Sequence, residues 1–253
     1  MSSPDVIHDL TTLSTDQTEL ASKIFVGKPR EYSNGKGGKS VSIGFGSAEK
    51  VTFFQTPRMY SPFGLDKSKQ DSGFESMNLV LNVRDEAKGS AELVALCQAM
   101  SHSVVKAAFD NQLDFFGTPV KDYKSIDVIK DRFHPILKTH EVYAPQLKLK
   151  IDESSTRFFD KTAGKEPIRM DDCIVPEKTT CRAIVRFGPV WIMSTQKFGI
   201  TVKADQVLII AAGVSMKRGP NFDKIMVKDD SDEEAPIGDV KDEAVAPADD
   251  EAY

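Results

Sequence analysis

The sequence predicts a mainly β fold: a Greek-key barrel that carries one helical insertion and ends in a disordered acidic tail. Three observations predict it. Short β-prone runs recur on both sides of a single stretch with helical spacing. A strand–helix–strand order of this kind suits a partly open barrel such as the OB-fold. The last segment, Asp229 to Tyr253, holds eleven carboxylates and one lysine, too little apolar surface to offset the entropy of ordering it.

The elements follow in chain order. Residues 1–22 are polar and acidic, with no basic start and no apolar run, and read as a flexible leader, not a signal peptide. Lys23–Val26 is the first strand candidate. A glycine-rich loop at Gly35, Gly37 and Gly38 leads to Ser40–Gly46 and Lys50–Gln55, both β-prone. Gln55–Phe74 then reads as one long loop, with Arg58, Tyr60, Phe63, Lys67 and Lys69 among two prolines and two glycines. Met77–Val83 is a further strand.

From Ser90 to Phe116 the period changes. Leu93, Leu96, Cys97, Met100, Val104 and Ala108 recur at helical spacing, with Ser90 as N-cap and Gly117 as stop. Ile126, Ile129 and Phe133 mark a shorter second helix, so the insertion spans about 90–134. Strands resume at Tyr143–Ile151, Thr156–Phe159, Thr180–Phe187, Val190–Ser194 and Ile200–Ile210. The folded domain is thereby placed at 23–228 and the tail at 229–253.

Charge is divided unevenly between these parts. The chain has 33 Lys+Arg and 38 Asp+Glu; the tail takes 1 and 11 of them and leaves 32 and 27 on the body. A mildly basic body tethered to a polyanion points to a polyanion-binding protein that carries a mimic of its ligand. Cys97, Cys173 and Cys181 are a sparse, odd set that fits a reducing intracellular compartment. No run approaches the roughly 18 apolar residues of a membrane span.

Enzyme signatures are weak. Gly37–Ser40 ends like a phosphate-binding loop, but Ser33 stands where its first glycine belongs, and a strand, not a helix, follows. His8, His102, His134 and His140 fit no zinc spacing, and no CxxC occurs. There is no G-x-S-x-G elbow. The expectation is a protein without catalytic site, metal or cofactor.

What stands out is cations interleaved with aromatics on strands. Cys181, Ala183, Val185 and Phe187 alternate with Arg182, Ile184 and Arg186, so one face is core and the other carries two guanidiniums. Ile200, Val202, Ala204 and Leu208 form a second inner row, with Thr201, Lys203 and Asp205 facing away. Lys197 and Phe198 occupy the turn between. Trp191 has two places open to it, the core or a stacking platform. Phe53–Phe54 and Phe158–Phe159 are adjacent pairs, of which at most one member each points inward. Cations that follow phosphates, with flat side chains that stack on unpaired bases, are how single strands are held. The candidate contacts are Arg58, Tyr60, Phe63, Lys67, Arg182, Arg186, Trp191, Lys197 and Lys203.

The loop QTPRMYSPFGL (Gln55–Leu65), the hairpin GPVWIMSTQKFGITVKADQVLI (Gly188–Ile209) and the acidic end closing on Tyr253 together resemble the single-stranded DNA-binding proteins of large nucleocytoplasmic DNA viruses, those of algal viruses included. These are similar in turn to the single-stranded DNA-binding protein of short-tailed coliphages. The tail departs from that pattern, being diluted by Ala, Pro and Val. The resemblance implies an OB-fold that coats single-stranded DNA without catalysis during replication and recombination. It implies a tail that occupies the DNA groove in the absence of DNA and recruits polymerase or helicase. Asp249, Asp250, Glu251 and Tyr253 would be the partner contacts. It also implies a homodimer, and a location in the host nucleus or a cytoplasmic viral replication site. Two rival readings are a scaffolding protein that binds basic partners through its tail, and a nuclease whose site no motif reveals.

Overall fold

The computed structural model describes residues 6–32, 38–47, 51–69, 75–117, 125–141, 143–162, 166–168 and 175–212. The acidic segment 229–253 and Cys173 lie outside these residues.

The N-terminal part holds β1 (Val6–Asp9), a 3₁₀ turn (Leu10–Thr12), α1 (Gln17–Ser22), β2 (Ile24–Val26), β3 (Arg30–Glu31), β4 (Lys39–Val41), β5 (Ile43–Phe45) and β6 (Thr52–Gln55). Next come β7 (Met59–Ser61), β8 (Leu65–Lys69) and β9 (Glu75–Asn82). The insertion is α2 (Ser90–Asp110), α3 (Gln112–Phe116) and α4 (Ile126–Lys130). The chain continues with β10 (Phe133–His134), β11 (Leu137–Lys138), β12 (Gln146–Ile151), β13 (Arg157–Asp160), β14 (Thr179–Ile192) and β15 (Phe198–Ala211).

Strand pairing closes a ring. β7 pairs β9, β9 pairs β12, β12 pairs β15, β15 pairs β14, and β14 returns to β7. Numbered along the chain, the five strands run 1-2-3-5-4-1, the OB order, and only the β12–β15 contact is parallel. The helices enter between the second and third strands of the ring. Leu79, Leu81, Leu147, Leu149, Val185 and Val202 from the barrel share one buried cluster with Leu93, Leu96, Met100 and Val104 of α2. Burying such side chains contributes about 1.5–3 kcal/mol each, which fixes helix to barrel.

Several expectations change. The stretch read as a leader is built into the fold from residue 6 onward. β1 runs parallel to β6, Asp16 caps α1 by accepting from the Thr18 and Glu19 amides, and Leu10 and Leu20 are 1% and 0% exposed. Two leucines anchoring a polar segment leave no periodic signal. The expected loop 55–74 contains a barrel strand, β7. Its three residues sit between Pro57 and Pro62 and are too short to read as a strand, yet Met59 and Ser61 are buried on either side of half-buried Tyr60.

Ser90 is not the cap of α2. Gly89 takes that place at φ 92°, and Ser90 is the first helical residue, buried. Phe133 belongs to β10, not to a helix. Gly117 does end the helical run, as the left-handed C-cap of α3.

The hairpin β14–β15 carries three register shifts. One falls where Val185 faces Ala204 but Ile184 faces Gln206, so Asp205 is the extra residue. Beyond it the faces exchange: Val207 and Ile209 point inward and Leu208 turns to the outer side opposite Arg182. Leu208 therefore does not continue the inner row of Ile200, Val202 and Ala204. Phe159, paired with Leu208, is buried there as well, so both Phe158 and Phe159 are covered, on opposite faces. Phe54 is buried and Phe53 half-buried, as alternation requires.

Candidate nucleic-acid interface

In the sequence Gln146–Ile151, QLKLKI, every second residue is apolar. Leu147, Leu149 and Ile151 are buried, and Lys148 and Lys150 stand exposed on the outer face of β12. The cross-strand register extends this row. Lys150 lies opposite Asn78 on β9 and Lys203 on β15, and Lys203 lies opposite Arg186 on β14. Three neighbouring strands thus bring Lys150, Lys203 and Arg186 into one line, with Lys148 opposite Val80 beside it.

The cations in this line differ in commitment. Arg186 is ion-paired to Asp205 at 3.1 Å, with both side chains mostly covered. Burial pushes the Asp205 carboxyl above the usual carboxylate range, and the charges of Arg186 and Lys203 hold it back. Hydrogen bonds from the Ser154 hydroxyl (2.6 Å) and amide (3.0 Å) hold Asp152 low, with a smaller contribution from Lys203. Among the described residues Lys148 and Lys150 have no ion-pair partner. Their charge is open to a ligand.

Further along the same outer face stands Tyr60. It faces Asn82, which faces Gln146. The Arg84 guanidinium lies 5.0 Å over the Tyr60 ring, so one face of that ring is taken by a cation. Asn82 Oδ1, between Tyr60 and Gln146, is buried without a partner among the described residues. Phe63 is 61% exposed. The Gly64 amide donates to Ser61 Oγ at 3.1 Å, and a Cβ on Gly64 (φ 67°) would strike Val175 and Pro176, so the bend packs tightly and turns Phe63 outward.

At the far end, the hairpin tip runs from Met193, 51% exposed, to exposed Lys197. Trp191 lies near this end, half-buried, on the outer face, opposite Gly199 on β15 and Ser40 on β4. Its ring is 5.3 Å from that of His134, and a Cβ on Gly199 would meet Trp191 Cζ2 at 2.7 Å. The indole therefore lies over a glycine of the neighbouring strand β15 and is not part of the barrel core.

Three candidates fall away from the row. Lys67 shares a side with Met77, whose opposite partner Ile151 faces inward, so Lys67 turns away from Lys150 while Asp66 turns toward it. Arg58 is half-buried between Pro57 and Met59. Arg182 lines a small cleft with Asp9, Gln55, Lys88 and Gly89, four residues from Arg186 along the strand, about 13 Å. Asp249, Asp250, Glu251 and Tyr253 lie outside the described residues.

Elsewhere the described residues gather no three His, Cys, Asp or Glu side chains in the manner of metal ligands. No helix among them is long and apolar enough to cross a membrane. Burial pushes the Cys181 thiol up to about 12 and Cys97 higher still, so neither supplies a thiolate at neutral pH.

No family model matches the chain, and no curated protein does. Solved structures that it resembles include gp2.5, a single-stranded DNA binding protein encoded by bacteriophage T7, at 11% identity and a TM-score of 0.46, covering 67% of this chain and 98% of that one. The single-stranded DNA-binding protein of bacteriophage Enc34 in complex with single-stranded DNA follows at 7% identity and a TM-score of 0.41, covering 74% and 96%. The same Enc34 protein in a second structure gives 9% and 0.36, covering 78% and 96%. The strand pairing itself, a five-membered ring in OB order, is what identifies the barrel.

Proposed function

We propose that the protein is a non-catalytic single-stranded DNA-binding protein of viral replication and recombination. The observation that supports it most is the outward line of Lys148, Lys150 and Lys203 on a barrel in OB order. Barrels of this kind take oligonucleotides on their second and third strands, between the loop that joins strands one and two and the loop that joins four and five. Here those places hold Lys148 and Lys150, Phe63, and Met193 with Lys197. The Tyr60–Arg84 pair closes one end of the face. Open lysines attract phosphates, and exposed aromatics stack on bases that no duplex hides.

The tail completes the reading. About −10 of charge tethered to a body of about +5 competes with DNA at roughly millimolar effective concentration. Its end, Asp249, Asp250, Glu251 and Tyr253, would capture a polymerase or helicase. A homodimer and a site in the host nucleus or a viral replication compartment belong to the same reading through the sequence resemblance.

Gel shifts of full-length and 1–228 protein on single-stranded DNA, duplex and RNA, across a salt series, test it. Single strands should bind more tightly than duplex, with affinity falling steeply as salt rises. Deletion of 229–253 should raise affinity most at low salt. Equal affinity for duplex and single strand, or binding that ignores salt, contradicts the proposal. Turnover of labelled DNA with a divalent cation would favour the nuclease reading instead.

A further inference from the structure

Along one edge of β14 the sheet is interrupted. β6 pairs with Ile184 and Val185, and β4 takes over at Val190, so Arg186 to Pro189 have no strand paired to them on that side among the described residues. The extra residue of the Phe187/Val190 register shift lies within this gap. β5 approaches it so closely that a Cβ on Gly188 would meet Ile43 Cγ2 at 2.7 Å. The opening leads to a cavity of about 250 Å³.

The lining is unusual for a gap in a sheet. Phe45, Phe54 and Phe187 form its aromatic floor, with ring centroids 5.4 and 5.5 Å apart, both pairs edge-on. Val51, 51% exposed, stands at the rim, and Arg186 lines the same opening. The volume equals about eight water molecules and falls below the roughly 300–1,000 Å³ of drug-sized sites, so one planar ring fits and a whole nucleotide does not. Arg186 also belongs to the line of Lys150 and Lys203. A polyanion that follows this line from β12 to β14 is delivered to the mouth of an aromatic cavity.

We infer that this cavity receives one base of the bound single strand, with the Arg186 guanidinium, held in place by Asp205, at its mouth. The inference rests on the proposed DNA binding and adds a place where the strand is pinned. The nearly covered floor takes the base by shape and apolar contact and does not read its edge, so pinning is tolerant of sequence.

The test fills the cavity from its exposed rim with Val51→Trp, a change that leaves the buried floor intact. Binding of oligo-dT is compared with that of an abasic oligomer of equal length, and thermal melting checks the fold. The expected result is a loss of about tenfold for oligo-dT, within the range of one stacked base, and no change for the abasic strand. A second blocker at the other rim, Ser42→Trp, should do the same. Equal losses on both oligomers, or none on either while Lys148→Ala/Lys150→Ala still weakens binding, overturn the pocket and leave the DNA-binding reading standing. Binding of free AMP that Val51→Trp abolishes, with oligo-dT unaffected, overturns it in favour of a mononucleotide site. Failure of the wild type to bind any single strand removes both.

Discussion

The outer faces of β12 and β14 come from the same sequence device and end in opposite conditions. Over Gln146–Ile151 and over Cys181–Phe187 buried apolar residues alternate with outward side chains that include two cations each, Lys148 and Lys150 on β12 and Arg182 and Arg186 on β14. On β12, Lys148 and Lys150 stand exposed and unpaired among the described residues. On β14, Arg186 is ion-paired to Asp205, and Arg182 is half-buried in a cleft with Asp9 and Lys88. Alternation decides which way a side chain points. Neighbouring elements decide whether its charge is available. The face best suited to phosphate is therefore the one with the simpler surroundings, and β14 contributes fixed geometry more than free charge.

Three changes break or sharpen this contrast, from the largest expected effect to the smallest. Lys148→Ala/Lys150→Ala should weaken single-strand binding roughly 30-fold at low salt and lower the slope of log K against log salt by about 1.4, or 0.7 per phosphate contact. Its melting temperature should stay within about the range of a neutral surface change. Arg186→Ala should instead cost about 1–2 kcal/mol of stability, read by denaturant melts, because a covered Asp205 loses its partner. If Arg186→Ala is neutral for folding and Lys150→Ala is not, the two faces have been assigned the wrong way round.

The smallest effect is in pH. Burial raises the Asp205 carboxyl, so the folded state holds its proton to higher pH than the unfolded chain does. Stability from this group is present below the unfolded value and is lost as pH rises through the folded one. Asp205→Asn removes that loss. Its stability relative to wild type should therefore rise with pH across the acidic range and level off above it. A difference that falls over the same range contradicts the assignment.

Much of this was legible in the sequence. The helix α2 was, because its apolar residues keep a 3.6 period over 21 positions. So was the inward row of Cys181, Ala183, Val185 and Phe187, which alternates without interruption. The bulge at Asp205 was not, because an extra residue in one strand is defined only by its partner's register, and it moved Leu208 and Phe159 to the outer side. β7 was hidden by the prolines that flank it, and the anchoring of Leu10 and Leu20 by the polar residues around them. On the proposed interface, Tyr60, Phe63 and Lys203 were visible as types, but Lys148 and Lys150, which stand exposed on the same outer face, are residues that a search for cations among aromatics overlooks. QLKLKI carries no aromatic, and its signal is alternation alone. Arg84 and Tyr60 lie 24 positions apart in the chain and meet only through the β7–β9 pairing.

The central claim is that phosphates run along β12 and β15. Acetylation of lysines, read by mass spectrometry with and without saturating oligo-dT, tests it most directly. The account predicts protection of Lys148, Lys150 and Lys203, while Lys106 and Lys130, each ion-paired on a helix, react equally in both conditions. Unchanged reactivity of Lys148 and Lys150 in a sample that has bound the oligomer would contradict it.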